Sequence, residues 1–162
     1  MKTTAIICVF NEEATIKNVV TTVSDYSFDE VIVVNDGSTD KTDEIVKEIS
    51  KFYDFKYFVL SDNKGKGYAM ATGVENAQGE IIVLIDADLS YLSENHINKL
   101  IEPLLQDNAD MVLGFPSKAL ISYKINLYRN FTGERALFKK EIEPIIGKIR
   151  YSQYGVEWLI NH

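Results

Sequence analysis

Two carboxylates, Asp86 and Asp88, stand one residue apart directly after the apolar run Ile81-Ile82-Val83-Leu84-Ile85. A strand that ends there and bends at Ala87 lets both side chains reach one hard cation. Mg2+ and Mn2+ take oxygen ligands, and Mg2+ commonly keeps one or two carboxylates while phosphates and water complete its shell. The pair therefore points to a divalent ion that holds a diphosphate. Alone the spacing is weak, because such pairs are frequent in acidic turns.

Three further polar groups give it weight. Asn11 and Glu12 follow the apolar run Thr4 to Val9. Asp36 follows Val31-Ile32-Val33-Val34-Asn35, where its carboxylate can accept hydrogen bonds from a nucleobase or ribose, or else form an Asx-type turn with Gly37 and Ser38. Lys64 and Lys66 flank Gly65, an arrangement that brings backbone amides and ammonium groups to phosphate oxygens. Neither a Walker loop nor a G-x-G-x-x-G turn after the first strand is present.

The elements that must position these groups follow from hydrophobic period. Thr4 to Val9, Val31 to Val34, Phe55 to Leu60, Ile81 to Ile85 and Met111 to Gly114 read as strands, the most continuous of them covered on both faces. Between them, Ile16, Val19, Val20 and Val23 form one helical stripe, with Glu12 and Glu13 expected in its first turn; Ile45, Val46, Ile49 and Phe52 form another. Ala69, Ala71, Gly73 and Ala77 mark a closely packed helix. Ser93 is expected to cap a helix carrying Ile97, Leu100, Ile101, Leu104 and Leu105, with Pro103 kinking or ending it near Glu102. Ile121, Ile125 and Tyr128 outline a further helix, Arg135 to Ile142 reads equally as strand or helix, and Gln153 to Ile160 as a terminal helix.

This alternation predicts an α/β fold, a mostly parallel sheet covered by helices on both faces. In such sheets ligands bind at the carboxyl ends of the strands, so the four polar groups should share one rim.

Length bounds the rest. A chain of 162 residues closes one substantial core and is too short for two ordinary enzyme domains. The reading is one domain over 1–162, with a nucleotide-binding part at 1–114 and an acceptor-side part at 115–162 that is either whole or truncated. No apolar run approaches a membrane span and no signal peptide is evident, which predicts a cytoplasmic protein able to lie at a membrane periphery. Cys8 is the single cysteine, read as a small buried strand residue. The net charge of −7 argues against nucleic-acid binding. Residues 115–150, however, hold eight basic residues against three acidic ones, a balance of +5 that leaves −12 elsewhere. That asymmetry fits either a solvated face or an anionic partner. Oligomeric state is not legible.

Taken together, Ile7-Cys8-Val9-Phe10-Asn11-Glu12-Glu13, Val33-Val34-Asn35-Asp36-Gly37-Ser38-Thr39-Asp40, Asn63-Lys64-Gly65-Lys66-Gly67-Tyr68-Ala69 and Ile85-Asp86-Ala87-Asp88 resemble the family 2 glycosyltransferases of GT-A fold. The resemblance covers about residues 4–115. It implies a sugar-nucleotide donor and Mg2+ or Mn2+. It also implies a base contact at Asp36, a nucleoside pocket along Phe10, Asn11 and Glu12, phosphate contacts at Lys64 and Lys66, ribose contacts at Asp86 and Ala87, and metal ligation by Asp86 and Asp88. Thr132 to Leu137 and Tyr154 to Glu157 are similar to later motifs of the polyprenyl-phosphate and phosphoglycerate branch. From that pattern Glu157 is the candidate base for a hydroxyl acceptor. For a phosphate acceptor, already ionised, Arg135 with Lys139 and Lys140 would bind its oxygens. The expected activity is transfer of a sugar from a nucleoside diphosphate to an acceptor, a phosphate-bearing lipid or small molecule among the candidates. The alternative is a catalytically lapsed nucleotide-binding or regulatory domain. A receiver-type signalling domain places its acids on other strands, and a nucleotidyltransferase would carry a glycine-rich loop after the first strand.

Overall fold

Along β1 (Thr3–Val9), β2 (Glu30–Asn35) and β4 (Ile81–Asp86), successive side chains enter two different cores, as the two-residue period of a strand requires. Ala5, Ile7, Val9, Val31, Val33, Ile81, Val83 and Ile85 pack on one face with α1 (Ile16–Asp25), α2 (Thr42–Ile49) and α4 (Glu94–Leu105). Ile6, Ile32, Val34, Ile82 and Leu84 pack on the other with α3 (Lys66–Asn76) and α6 (Ile146–Tyr151). Both faces being apolar is why these strands read as continuous hydrophobic runs. The computed structural model describes residues 1–114, 134–152 and 160.

Six strands form the sheet in the order β3-β2-β1-β4-β6-β5, where β3 is Lys56–Val59, β5 Met111–Leu113 and β6 Arg135–Phe138. The pairs β1·β2, β1·β4 and β2·β3 are parallel. The strand β6 enters between β4 and β5 and runs antiparallel to both. Arg135 to Ile142 is thus both of the expected alternatives: β6 comes first, and α5 (Lys139–Ile142) follows. A 3-10 turn (Glu143–Ile145) then leads into α6.

Several local expectations shift. The helix α1 begins at Ile16, so Glu12 and Glu13 lie in the loop before it. There the Glu12 amide donates to Thr42 Oγ1 at 2.9 Å, and Glu13 Oε2 accepts the Lys41 amide at 3.0 Å. The helix α2 ends at Ile49, leaving Phe52 largely exposed. The helix α4 runs through Pro103 to Leu105. Pro103 removes one helical donor, but the amide of Gln106 still reaches the carbonyl of Glu102, and burial of Ile97, Leu100, Ile101 and Leu104 opposes the loss. Ser93 occupies the N-cap with extended backbone but makes no side-chain cap bond.

The small-residue helix packs as its composition requires. A Cβ on Gly73 would lie 2.5 Å from Ile6 Cγ2, and one on Gly67 would lie 2.1 Å from the carbonyl oxygen of Ile149 in α6. Among the described residues no helix is long and apolar enough to cross a membrane. The helices expected around 121–128 and 153–160 fall outside the described residues, Ile160 apart.

Candidate active site

The carboxyl ends of β1, β2 and β4 lie side by side, since Val9 pairs with Asn35 and Cys8 with Asp86. Two loops are tied together there. The Asn11 amide donates to Ser38 Oγ at 3.0 Å, and Asn11 Oδ1 accepts the Thr39 amide at 2.8 Å. Asn11 holds a left-handed φ of 54°, a conformation that asparagine tolerates better than most residues. Phe10, beside it, remains 41% exposed and faces solvent at the rim.

Asp36 is nearly enclosed, yet both its oxygens are used. Oδ1 accepts the Lys64 amide at 2.8 Å and Oδ2 the Gly65 amide at 2.9 Å. Burial raises its pKa above the ordinary carboxylate range, against the two amides, which pull it down. The carboxylate thus shapes the loop leading into α3. Gly37 makes the approach possible: its φ is 70°, and a Cβ there would stand 2.5 Å from the backbone carbon of Asp62.

Lys66 opens α3, and its ammonium lies 2.8 Å from Asp86 Oδ1. Strand parity explains the meeting, because Ile82, Leu84 and Asp86 alternate onto the face that α3 covers. Asp88, beyond the turn at the buried Ala87, is exposed, and Asp86 is partly so. Lys64 is exposed, with its ammonium 5.3 Å from the centre of the Tyr68 ring. Cys8, one residue before the end of β1, is partly exposed rather than buried as expected; desolvation still pushes its thiol up to about 12, with Lys66 opposing and Asp86 and Asp36 reinforcing.

Glu134 joins this group although no site role was expected of it. It precedes β6, and the Gly114 amide donates to its carbonyl at 2.9 Å. Burial first, and then the charges of Asp86 and Asp88, raise the pKa of its carboxyl, while His96 on α4 opposes them. The pointer available in the sequence was its place in the Thr132 to Leu137 segment.

The antiparallel course of β6 separates the residues expected to bind an acceptor phosphate together. Arg135 pairs with Leu84 near the rim, whereas Phe138 pairs with Ile81 at the opposite edge. Lys139 therefore sits at the far end of β4, its amide donating to Glu80 and its ammonium to the carbonyl of Ala77. Lys140 follows it there, beside Glu141. Arg135 itself is fully buried. Glu157 lies outside the described residues.

For a divalent ion, the donor set fits one completed by its ligand. Among the described residues no cluster of three or more metal-ligating side chains occurs. Asp86 and Asp88 supply two carboxylates at a strand end, the number that Mg2+ commonly takes when phosphates fill the remaining positions.

Comparison with known proteins bears on family and fold. Over 81 residues the chain is 38% identical to the poly-beta-1,6-N-acetyl-D-glucosamine synthase of Staphylococcus epidermidis, an alignment covering 49% of this chain and 20% of that protein. Over 125 residues it is 34% identical to the UDP-N-acetylglucosamine--dolichyl-phosphate N-acetylglucosaminyltransferase of Methanococcus voltae, covering 67% of this chain and 49% of the relative. The chain thus spans at most about half the length of these curated relatives. Its fold superposes on glucosyl-3-phosphoglycerate synthase from Mycobacterium tuberculosis, crystallised with Mn2+, uridine diphosphate and phosphoglyceric acid, with a TM-score of 0.72. That likeness covers 87% of this chain and 57% of the other at 22% identity, and so speaks to the GT-A fold alone. The description "Glycosyl transferase family 2" matches residues 4–156, nearly the whole chain, and the chain belongs to glycosyltransferase family 2.

Proposed function

We propose that this chain binds a nucleoside diphosphate sugar across the β1-β2-β4 rim and transfers the sugar to a phosphate-bearing acceptor. The observation that carries the reading is the double tether of one loop: Asp36 holds the amides of Lys64 and Gly65, and Asp86 holds Lys66. The nucleoside-side acid and the strand-end acid thereby fix the segment best suited to a diphosphate.

In this reading Phe10, Asn11, Glu12 and Asp36 line the nucleoside pocket, and Asp86 with Ala87 flanks the ribose. Asp86 and Asp88 would hold Mg2+ or Mn2+, which would supply Lewis-acid neutralisation of the diphosphate. Lys66 and the first-turn amides of α3 add positive potential where charge develops on the leaving group. The bond from the anomeric carbon to the diphosphate oxygen breaks, its electron pair leaving with the nucleoside diphosphate, and a bond forms to an acceptor oxygen. An ionised phosphate acceptor needs no base; for a hydroxyl acceptor, Glu157 would take the proton. The half-buried Glu134 feels the charges of Asp86 and Asp88.

A uridine donor is favoured by the relatives, since the Methanococcus voltae protein is named for a UDP-sugar and a dolichyl phosphate, and the synthase was crystallised with uridine diphosphate and phosphoglyceric acid. Lys118, Lys124 and Arg129, between β5 and β6 in the sequence, support an anionic acceptor. Arg135 is proposed to support the rim from within, and Lys139 and Lys140 are left out of the acceptor site.

Titration calorimetry of uridine diphosphate with and without Mn2+, followed by transfer from UDP-sugars to phosphoglycerate and polyprenyl-phosphate acceptors, tests the proposal. Metal-dependent binding with turnover supports it. Binding without turnover on any acceptor would leave a nucleotide-binding domain, and no binding of any nucleoside diphosphate would remove the reading altogether.

A further inference from the structure

The turn that carries Asp36 is held from below by a chain of side-chain hydrogen bonds that reaches an outer helix. Asn35, the last residue of β2, is fully buried. Its Oδ1 accepts the Ser38 amide at 2.9 Å, and its Nδ2 donates to the Tyr57 hydroxyl at 2.9 Å. That hydroxyl in turn donates to Asp43 Oδ1 at 2.9 Å, and Asp43 Oδ2 receives the Lys47 ammonium at 2.7 Å. At the other end Ser38 Oγ accepts the Asn11 amide. The chain thus runs from α2 through β3 and the end of β2 to the loop after β1.

Asn35 has one amide to satisfy and one turn to hold, and Tyr57 supplies the acceptor that orients it. From this we infer that Tyr57 is a positioning residue for the nucleoside pocket, acting through Asn35 on the Asp36-Gly37-Ser38 turn. The inference rests on the nucleotide-binding reading above. The physical basis is asymmetric: a buried amide deprived of its acceptor retains its desolvation cost and seeks another orientation. A rotated Asn35 would release the Ser38 amide, and with it the Ser38 contact to Asn11. Tyr57 does not itself touch the proposed ligand. Burial, reinforced by Asp43, raises its pKa above the ordinary tyrosine range, so the hydroxyl remains a donor to Asp43.

The test compares the whole chain with Tyr57→Phe, which keeps the ring and removes the hydroxyl. Two readouts are taken under conditions where urea titration shows both proteins fully folded: hydrogen exchange of residues 35–40, and calorimetric affinity for uridine diphosphate with Mn2+. The expected result is faster exchange confined to that turn and affinity weakened roughly three- to tenfold. Asp43→Asn, which keeps an oxygen for the hydroxyl, should retain near-normal affinity. Unchanged exchange, or faster exchange with unchanged affinity, would overturn the positioning role. Failure of the underlying reading is visible separately, as the absence of nucleoside diphosphate binding by the unaltered chain.

Discussion

The ammonium of Lys66 lies 2.8 Å from Asp86 Oδ1, so the first residue of α3 and the last residue of β4 form an ion pair on the proposed diphosphate site. Both partners are partly exposed, which limits the contribution of the pair to stability. Its consequence lies in ligand binding. Lys66→Met is expected to leave the urea midpoint almost unchanged while lowering turnover of a UDP-sugar about tenfold or more, through loss of a cation beside the leaving group. Steady-state kinetics beside a denaturation curve decides this, and wild-type turnover in the variant would reject it.

Asp88 is the more exposed of the two proposed ligands, and among the described residues it has no ion pair like that of Asp86 with Lys66. Asp88→Asn should preserve the fold and weaken Mn2+-dependent binding of uridine diphosphate by roughly tenfold or more, since a neutral amide is a poor ligand for a hard cation. Calorimetry at fixed Mn2+ measures the change; equal affinity for both proteins contradicts the metal assignment.

Gly37→Ala tests the tight approach of two loops. The φ of 70° and the 2.5 Å gap to the Asp62 backbone leave no room for a methyl group without backbone movement. A loss of roughly 1 to 3 kcal/mol is expected, read from urea unfolding. Gly65→Ala meets nothing within 4 Å, but its φ of 94° and ψ of 155° lie where only glycine is ordinarily found, so backbone strain alone should cost a similar amount.

Cys8 should be inert in the folded protein. Its thiol is pushed up to about 12 by burial, leaving almost no thiolate near neutral pH. Iodoacetamide labelling at pH 8 is therefore expected to be slow until urea unfolds the chain. Rapid labelling of the native protein would contradict a thiol held in its protonated form.

Acid should weaken the fold partly through Asp43. The Lys47 ammonium and the Tyr57 hydroxyl hold its pKa below the ordinary value of 3.8. For a carboxyl with a lowered folded pKa, the contribution is present above the unfolded value and is lost as pH falls through the folded one. Stability should thus decline below about pH 4, and the decline should be shallower in Asp43→Asn, as urea midpoints measured between pH 3 and 6 would register.

The rim was legible in the sequence because each of its parts is local. An apolar run ending in Asn11, Asn35-Asp36 or Asp86 states where a strand stops, and parallel β-α-β connection brings such ends to one edge. Helix entry was less legible: Glu12 and Glu13 were expected in α1, but their partners Asp40 and Lys41 in the next loop and Thr42 at the start of α2 hold them outside it.

What the sequence by itself determined was therefore the order of strands and helices, their apolar faces and the chemistry of the strand ends, because hydrophobic period and turn residues act over a few positions. Only the tertiary structure decided which distant side chains share that chemistry. The antiparallel insertion of β6 put Glu134 near Asp86 and Asp88 and carried Lys139 and Lys140 to the opposite edge of the sheet. Direction within a sheet depends on which neighbour buries a strand best, a balance of contacts across the whole core that no short stretch of residues contains.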